Sequence, residues 1–277
     1  MMNRALVIGA DGHIGNALYH ELQRRGVAVV GTSRRESSSF RYLDLARIDQ
    51  NSIINEPFSV VYICSGVGSV QACEDNPYDT RRVNVTGVLE IARPLHASGA
   101  LIVFISTAMV FGGVTPLADE QCEPTPTTEY GRQKVEAERE LSALGDGIAI
   151  VRVSKVISAR THPIASWIQT LREGGSIEAH ANRTISPVAL SQMLELLVYI
   201  GTKRTTGIVH LSGTEDLSFY DFIKLYAPHD RVHPVYPHGV SLLPTTMCMK
   251  KLISEYAMQP YTPQQVVACE LPPLAAS

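Results

Sequence analysis

The feature that most constrains this chain is a glycine triplet at the head of its first helix. Gly9-Ala10-Asp11-Gly12-His13-Ile14-Gly15 follows directly on the apolar run Ala5-Leu6-Val7-Ile8. It leads into Ile14, Leu18 and Leu22, a stripe at helical spacing that ends near Gly26. A buried strand that turns straight into an amphipathic helix needs glycine where φ is positive, or where the backbone must approach something without a Cβ between. The helix N-terminus behind such a turn offers free N–H groups and the positive end of a dipole, which suits a pyrophosphate. At the first strand-to-helix junction of an alternating chain, the triplet predicts a dinucleotide site.

The alternation continues. Val27–Val30, Val60–Ile63, Leu101–Ile105 and Ile148–Val153 read as strands, with helices expected over Thr80–Leu95 and Tyr130–Leu144. Continuous apolar strands separated by helices predict an α/β fold, a doubly wound parallel sheet of Rossmann type with helices on both faces. After Ser158 the rhythm changes: helices are expected at Trp167–Leu171 and Ser186–Tyr199 and a strand at Ile208–Leu211. The proline-punctuated remainder favours short helices and loops, with fraying from Glu270 to Ser277. The expected division is a Rossmann domain over residues 1–157 and 186–213, with a small C-terminal substrate lobe over 158–185 and 214–277.

With 277 residues, 45% of them hydrophobic, there is ample material for a core, and disorder of the bulk is excluded. Lys plus Arg number 24 against 27 for Asp plus Glu, so no basic field exists to hold a nucleic acid. No apolar run approaches the ~18 residues of a membrane span, and the N-terminal stretch lacks the layout of an export signal. The five cysteines (Cys64, Cys73, Cys122, Cys248, Cys269) form no C-x-x-C pair, as expected of reduced thiols in a cytoplasmic protein.

The end of the second strand bears on which dinucleotide is taken. An acidic residue there would accept hydrogen bonds from the ribose hydroxyls of NAD. Instead the chain reads Gly31-Thr32-Ser33-Arg34-Arg35. Arg34 and Arg35 suit a 2′-phosphate and Ser33 can donate to it, which favours NADP with NAD as second choice. Further along, Tyr130 and Lys134 lie four apart on one helix face, where a cation would draw the phenol toward acid–base work. Ser106-Thr107 closes the fourth strand, at the sheet end where such folds do their chemistry.

These pieces together resemble the extended short-chain dehydrogenase/reductase family. The resemblance runs over nearly the whole chain. It is carried by Gly9-x-x-Gly12-x-x-Gly15, Asp44-Leu45, Cys64-Ser65-Gly66, Asn84-Val85-Thr86-Gly87, Ile105 to Gly112, and Glu120 with Pro124 before Tyr130-x-x-x-Lys134. Ile185-Ser186-Pro187-Val188, Gly207 to Gly213 and Met249-Lys250-Lys251-Leu252 are most like the dTDP-4-dehydrorhamnose reductases of that family. Ala108-Met109 departs from that group's Asp-Tyr, is similar to sugar 4-epimerases in its Ala, and speaks against a dehydratase.

The resemblance implies Thr107, Tyr130 and Lys134 as catalytic residues. It implies cofactor contacts from Gly9, Asp11, Gly12, His13, Ile14, Gly15, Ser33, Arg34, Arg35, Asp44, Leu45, Cys64, Ser65 and Gly66, with Tyr130 and Lys134. The activity implied is NADP-dependent reduction of a carbonyl on a nucleotide sugar or similar compound, bound between the lobes. An epimerase retaining NAD, or a non-catalytic NADP-binding regulatory subunit similar to the β subunit of methionine adenosyltransferase, stays open. Family members often dimerise through helices flanking the sheet, so a homodimer is open too. Arg152, Lys155, Arg160, Arg172 and Arg183 are available to hold a diphosphate. No metal is expected: His229, His233 and His238 are separated by prolines that prevent alignment on one helix. Cys64 is expected as a small buried neighbour of the cofactor, and Trp167 either to stack on substrate or to pack the lobe.

Overall fold

The computed structural model describes residues 2–48, 53, 55–237 and 243–274. The elements in chain order are β1 (Arg4–Ile8), α1 (His13–Arg24), β2 (Ala28–Ser33), β3 (Arg41–Tyr42), β4 (Val60–Ile63), α2 (Val70–Asp75) and α3 (Pro77–Arg81). A π-helical turn at Arg82–Gly87 leads into α4 (Val88–Ala97), β5 (Leu101–Thr107), α5 (Glu129–Ser142) and β6 (Ile148–Val153). The later part holds β7 (Lys155–Ile157), α6 (Ile164–Arg172), β8 (Ile177–His180), β9 (Thr184–Ile185), β10 (Pro187–Ala189), α7 (Leu190–Lys203) and β11 (Gly207–Leu211). It ends with β12 (Leu217–Ser218), α8 (Phe219–Lys224), β13 (Val232–Val235), α9 (Lys250–Tyr256) and α10 (Pro263–Glu270).

Seven strands form one sheet in the order β11-β6-β5-β4-β1-β2-β3, with β1 paired parallel to both β2 and β4. This is the doubly wound Rossmann arrangement. All four residues of β4 and all six of β6 are buried, so both faces of the sheet are covered and the strands read as unbroken apolar runs. The chain leaves β1 toward β2 and β3 on one side, then crosses to β4 on the other. That crossing is the topological switch point, where such sheets open a crevice at the strands' carboxyl ends.

The chain divides into two compact units. The first comprises Met1–Phe111, Glu123–Arg152 and Leu194–Val209, and the second Gly112–Cys122, Val153–Met193 and His210–Ser277. The second unit thus takes in residues 112–122, 153–157, 186–193 and 210–213, which the expected boundaries gave to the Rossmann domain. The first is built on a cluster including Leu6, Ile8, Val61, Ile63, Ile102 and Phe104. The second gathers Ile157, Ile168, Leu171, Phe219, Phe222 and Val232.

Several elements differ from the expected ones. The helix expected over Ser186–Tyr199 opens instead as β10, paired parallel with β7, and becomes helical only at Leu190. The single helix expected over Thr80–Leu95 is α3, the π turn and α4 in succession; π turns concentrate at functional sites. Val232–Val235, expected as loop, forms a two-stranded parallel sheet with β8. Pro234 is tolerated there because a two-stranded sheet consists only of edges. The tail is packed through Leu274, with Leu271 buried and the Tyr226 phenol donating to the Pro272 carbonyl at 2.7 Å. Residues 275–277, and His238 of the histidine trio, lie outside the described residues. Among the described residues no helix is long and apolar enough to cross a membrane, and no group of three His, Cys, Asp or Glu is placed to hold a metal.

Candidate functional site

The loops at the switch point enclose a groove of about 230 Å³ within the first unit. Gly9, Asp11 and Gly12 line it from the turn after β1, Arg34 and Arg35 from the end of β2, and Asp44 and Leu45 from the loop after β3. Cys64, Ser65 and Gly66 close it after β4. Leu43, Val67 and Val83, which the sequence did not single out, complete the lining.

Two glycines make the turn possible. Gly9 has φ +83°, and a Cβ there would stand 2.9 Å from the Cβ of Ser65, so only glycine lets the turns after β1 and β4 meet. A Cβ on Gly15 would fall 2.1 Å from the Gly9 carbonyl oxygen, so this residue sets how closely α1 packs on the turn. His13 and Ile14 are the first helical residues of α1 and Gly15 is buried beneath them; none of the three lines the groove. Ser33 is buried behind the lining, its hydroxyl donating to Asp11 Oδ2 at 2.8 Å.

The loop after β4 is held by a buried amide network. The Val67 N–H donates to Asn84 Oδ1 at 2.7 Å, and Asn84 Nδ2 returns to the Val67 carbonyl at 3.1 Å. Asn84 also donates to Gln133 Oε1 at 2.9 Å, and Gln133 donates to Thr80 Oγ1 at 2.9 Å. Asn84 stands on the π turn and Gln133 on α5, so the network ties the groove's wall to the helix that carries Tyr130 and Lys134. Neither residue was expected as functional, although Asn84 falls in a motif of the resemblance.

On α5, the Thr128 hydroxyl caps the first turn by accepting from the Gly131 N–H at 3.1 Å, which fixes Tyr130 in that turn. The Tyr130 phenol stands beside Thr107 at the end of β5, and burial pushes its pKa up to about 12, with the neighbouring Cys73 adding to the rise and Thr107 opposing it. This corrects the expectation that Lys134 would draw the phenol down. The buried Lys134 ammonium instead donates to the Ile105 carbonyl at 2.7 Å and lies 4.1 Å from the centre of the Phe104 ring. Burial lowers the Lys134 pKa to about 8, against the opposing pull of Glu138 one turn on. Cys64 lies near enough for Lys134 to pull its pKa down, yet burial dominates and raises the thiol to about 12. It is protonated at neutral pH and is no nucleophile.

Beneath Lys134, Glu138 is clamped by Arg152, whose Nη2 donates to Oε2 at 2.7 Å and Nε to the same oxygen at 3.1 Å. Ser106 also donates to Glu138. Arg152 is only 2% exposed, so it is not available to a diphosphate. Removing one member of such a buried pair costs about 3–5 kcal/mol.

The second unit has a cavity of its own, about 340 Å³, into which Lys155 and Arg183 bring positive charge and Glu178 a negative one. Trp167 and Phe219 form an edge-to-face pair on its wall, 6.1 Å between centroids, and His162 and His180 add polar edges. Trp167 therefore both packs its unit and faces open space. Arg160 and Arg172, the latter in the last turn of α6, are exposed and do not line this cavity.

A glycine turn at a switch point, with Thr107, Tyr130 and Lys134 in the same unit, defines an extended short-chain dehydrogenase/reductase. Within that class the chain belongs to the RmlD substrate binding domain family, whose profile matches residues 2–248. It is 24% identical over 261 residues to methionine adenosyltransferase 2 subunit beta of Xenopus tropicalis, covering 87% of this chain and 78% of that protein. It is 26% identical over 231 residues to the probable low-salt glycan biosynthesis reductase Agl14 of Haloferax volcanii, covering 79% of this chain and 77% of that one. Its fold is shared with dTDP-4-dehydrorhamnose reductase from Bacillus anthracis, a structure in complex with NADP, at a TM-score of 0.81 over 96% of both chains and 21% identity.

Proposed function

We propose that the protein is an NADP-dependent reductase of a carbonyl on a nucleotide sugar. The observation that carries this is the placement of Tyr130 beside Thr107 in the unit that also holds the glycine groove. The groove fits a dinucleotide: glycines Gly9 and Gly12 leave backbone without side chains along its floor, and Arg34 and Arg35 stand at the edge for a 2′-phosphate. Asp44, Leu45, Cys64, Ser65 and Gly66 would flank the cofactor, and Lys134 would reach its ribose from below. NAD is the second choice. Bound NADPH would supply the hydride.

The remaining chemistry falls to the chain. Thr107 and Tyr130 would hydrogen-bond the substrate's carbonyl oxygen and so favour negative charge on it. As the carbonyl carbon gains the hydride, Tyr130 would pass its phenolic proton to that oxygen, leaving an alcohol and a phenolate. The phenolate would then be reprotonated from solvent, while the Lys134 ammonium, held on the Ile105 carbonyl, serves the ribose. A phenol pushed up to about 12 keeps its proton at neutral pH. Lys155 and Arg183 would hold a diphosphate in the second unit's cavity, with Trp167 and Phe219 beside a ring.

A second reading, a dinucleotide-binding regulatory subunit, draws on the similarity to methionine adenosyltransferase 2 subunit beta. Incubation with NADPH and a panel of nucleotide 4-keto sugars separates the two. Loss of reduced-nicotinamide absorbance with any of them supports the reductase. Tight NADPH binding with no turnover across the panel, and co-purification of a partner enzyme, would favour the subunit.

A further inference from the structure

Asp11 is an unexpected neighbour for a 2′-phosphate. It lines the groove together with Arg34 and Arg35, and it is the acidic member of that end. Its Oδ2 accepts the Ser33 hydroxyl proton at 2.8 Å and lies 3.5 Å from Arg35 Nε. Ser33 in turn accepts the Arg35 backbone N–H at 3.0 Å. A serine hydroxyl has one proton to give. Here that proton is directed at Asp11, so Ser33 can serve a 2′-phosphate only by releasing the carboxylate. Arg35 faces the same competition, since its guanidinium pairs with an anion the protein already supplies. The released carboxylate would then stand beside a like charge, which is unfavourable. A ribose 2′-hydroxyl meets none of these obstacles, because it can donate to Asp11 directly.

We propose that Asp11 sets the cofactor preference of the groove, restraining the affinity for NADP that Arg34 and Arg35 would otherwise confer and keeping NAD acceptable. Asp11 supplies, from the glycine turn, the carboxylate that β2 lacks. The inference rests on the dinucleotide reading of the groove. It differs from the ordinary arrangement in placing the discriminating carboxylate 22 residues before the end of β2, on Asp11 rather than at Ser33.

The test is calorimetric titration of NADPH and NADH into the whole protein and into Asp11→Asn and Asp11→Ser, with melting curves to show that each variant is folded. Asn keeps the shape and removes the charge; Ser removes the charge and shortens the side chain. Both variants should bind NADPH about tenfold more tightly, the scale of one charge-assisted hydrogen bond gained, while NADH changes by less than about threefold. An unchanged or weakened NADPH affinity in the two folded variants, or equal changes for both cofactors, would overturn the role of Asp11. Absence of binding of either cofactor to the parent protein would overturn the dinucleotide reading, and this inference with it.

Discussion

Replacing Lys134 by Met should stabilise the protein at neutral pH while weakening its hold on a dinucleotide. Lys134 is 6% exposed, and burial lowers its pKa from 10.5 to about 8. At about 1.4 kcal/mol per pH unit, keeping it charged in the native state costs about 3 kcal/mol below pH 8. Met has a similar length and no charge, but it removes the donor to the Ile105 carbonyl, a loss of about 1 kcal/mol. The net gain near pH 7 is therefore about 2 kcal/mol, or several degrees in melting temperature.

The sign of the pH dependence is specific. Between about pH 8 and 10.5 the unfolded chain still binds a proton at Lys134 while the native protein has lost it, so parental stability climbs through that window relative to the variant. Denaturant titration of both proteins at pH 7, 8, 9 and 10, without cofactor, cancels the titrating groups that Lys134 does not touch. The advantage of the variant should be largest at pH 7 and shrink toward zero by pH 10. A variant less stable than the parent at pH 7, or a difference that does not move with pH, would refute the reasoning. A residue that costs this much in the empty protein is one that its stability does not explain.

Other outcomes follow from the same geometry. Tyr130→Phe should lower turnover by about 10²–10⁴-fold, the contribution of a positioned acid, with NADPH affinity held within about threefold by titration. NADPH affinity should fall as pH rises through about 8, where Lys134 loses its charge; a flat profile from pH 6 to 9 would separate the ammonium from binding. Arg34→Asp combined with Arg35→Ala should shift the preference toward NADH, and an NADPH affinity unchanged in the double variant would defeat the assignment of both guanidiniums. Gly12 has φ −80° and ψ 168°, a conformation any residue adopts, and a Cβ there would stand 3.2 Å from the Gly9 carbonyl oxygen, so Gly12→Val should keep the fold with a small loss of stability and block the groove. Gly15→Ala, whose Cβ would meet the Gly9 carbonyl, should instead lower the melting temperature.

The doubly wound sheet was legible because strands buried on both faces read as unbroken apolar runs, as Val60–Ile63 does. The glycine turn was legible because its constraints are local: Gly9 needs a positive φ and Gly15 needs room beside Gly9. What the sequence concealed depends on partners far along the chain. Helical spacing puts Lys134 beside Tyr130, but the long side chain carries its ammonium to the Ile105 carbonyl across 29 residues. Arg152 and Lys155 look alike as cations three apart, yet one is sealed against Glu138 and the other opens to a cavity. Pro187 sits inside an apolar stretch that reads as helix until β7 is present to pair with it. Asp11 and Ser33 form one unit only once β1 and β2 lie side by side.

The most direct test of the central claim is hydride transfer itself. The protein would be incubated with NADPH carrying deuterium at the transferable position and with a nucleotide 4-keto sugar, and the sugar product weighed by mass spectrometry. The account predicts an alcohol product carrying one deuterium on the former carbonyl carbon, formed by the parent and nearly abolished in Tyr130→Phe. Bound NADPH that is never oxidised by any carbonyl offered would contradict it, as would an alcohol product without the label.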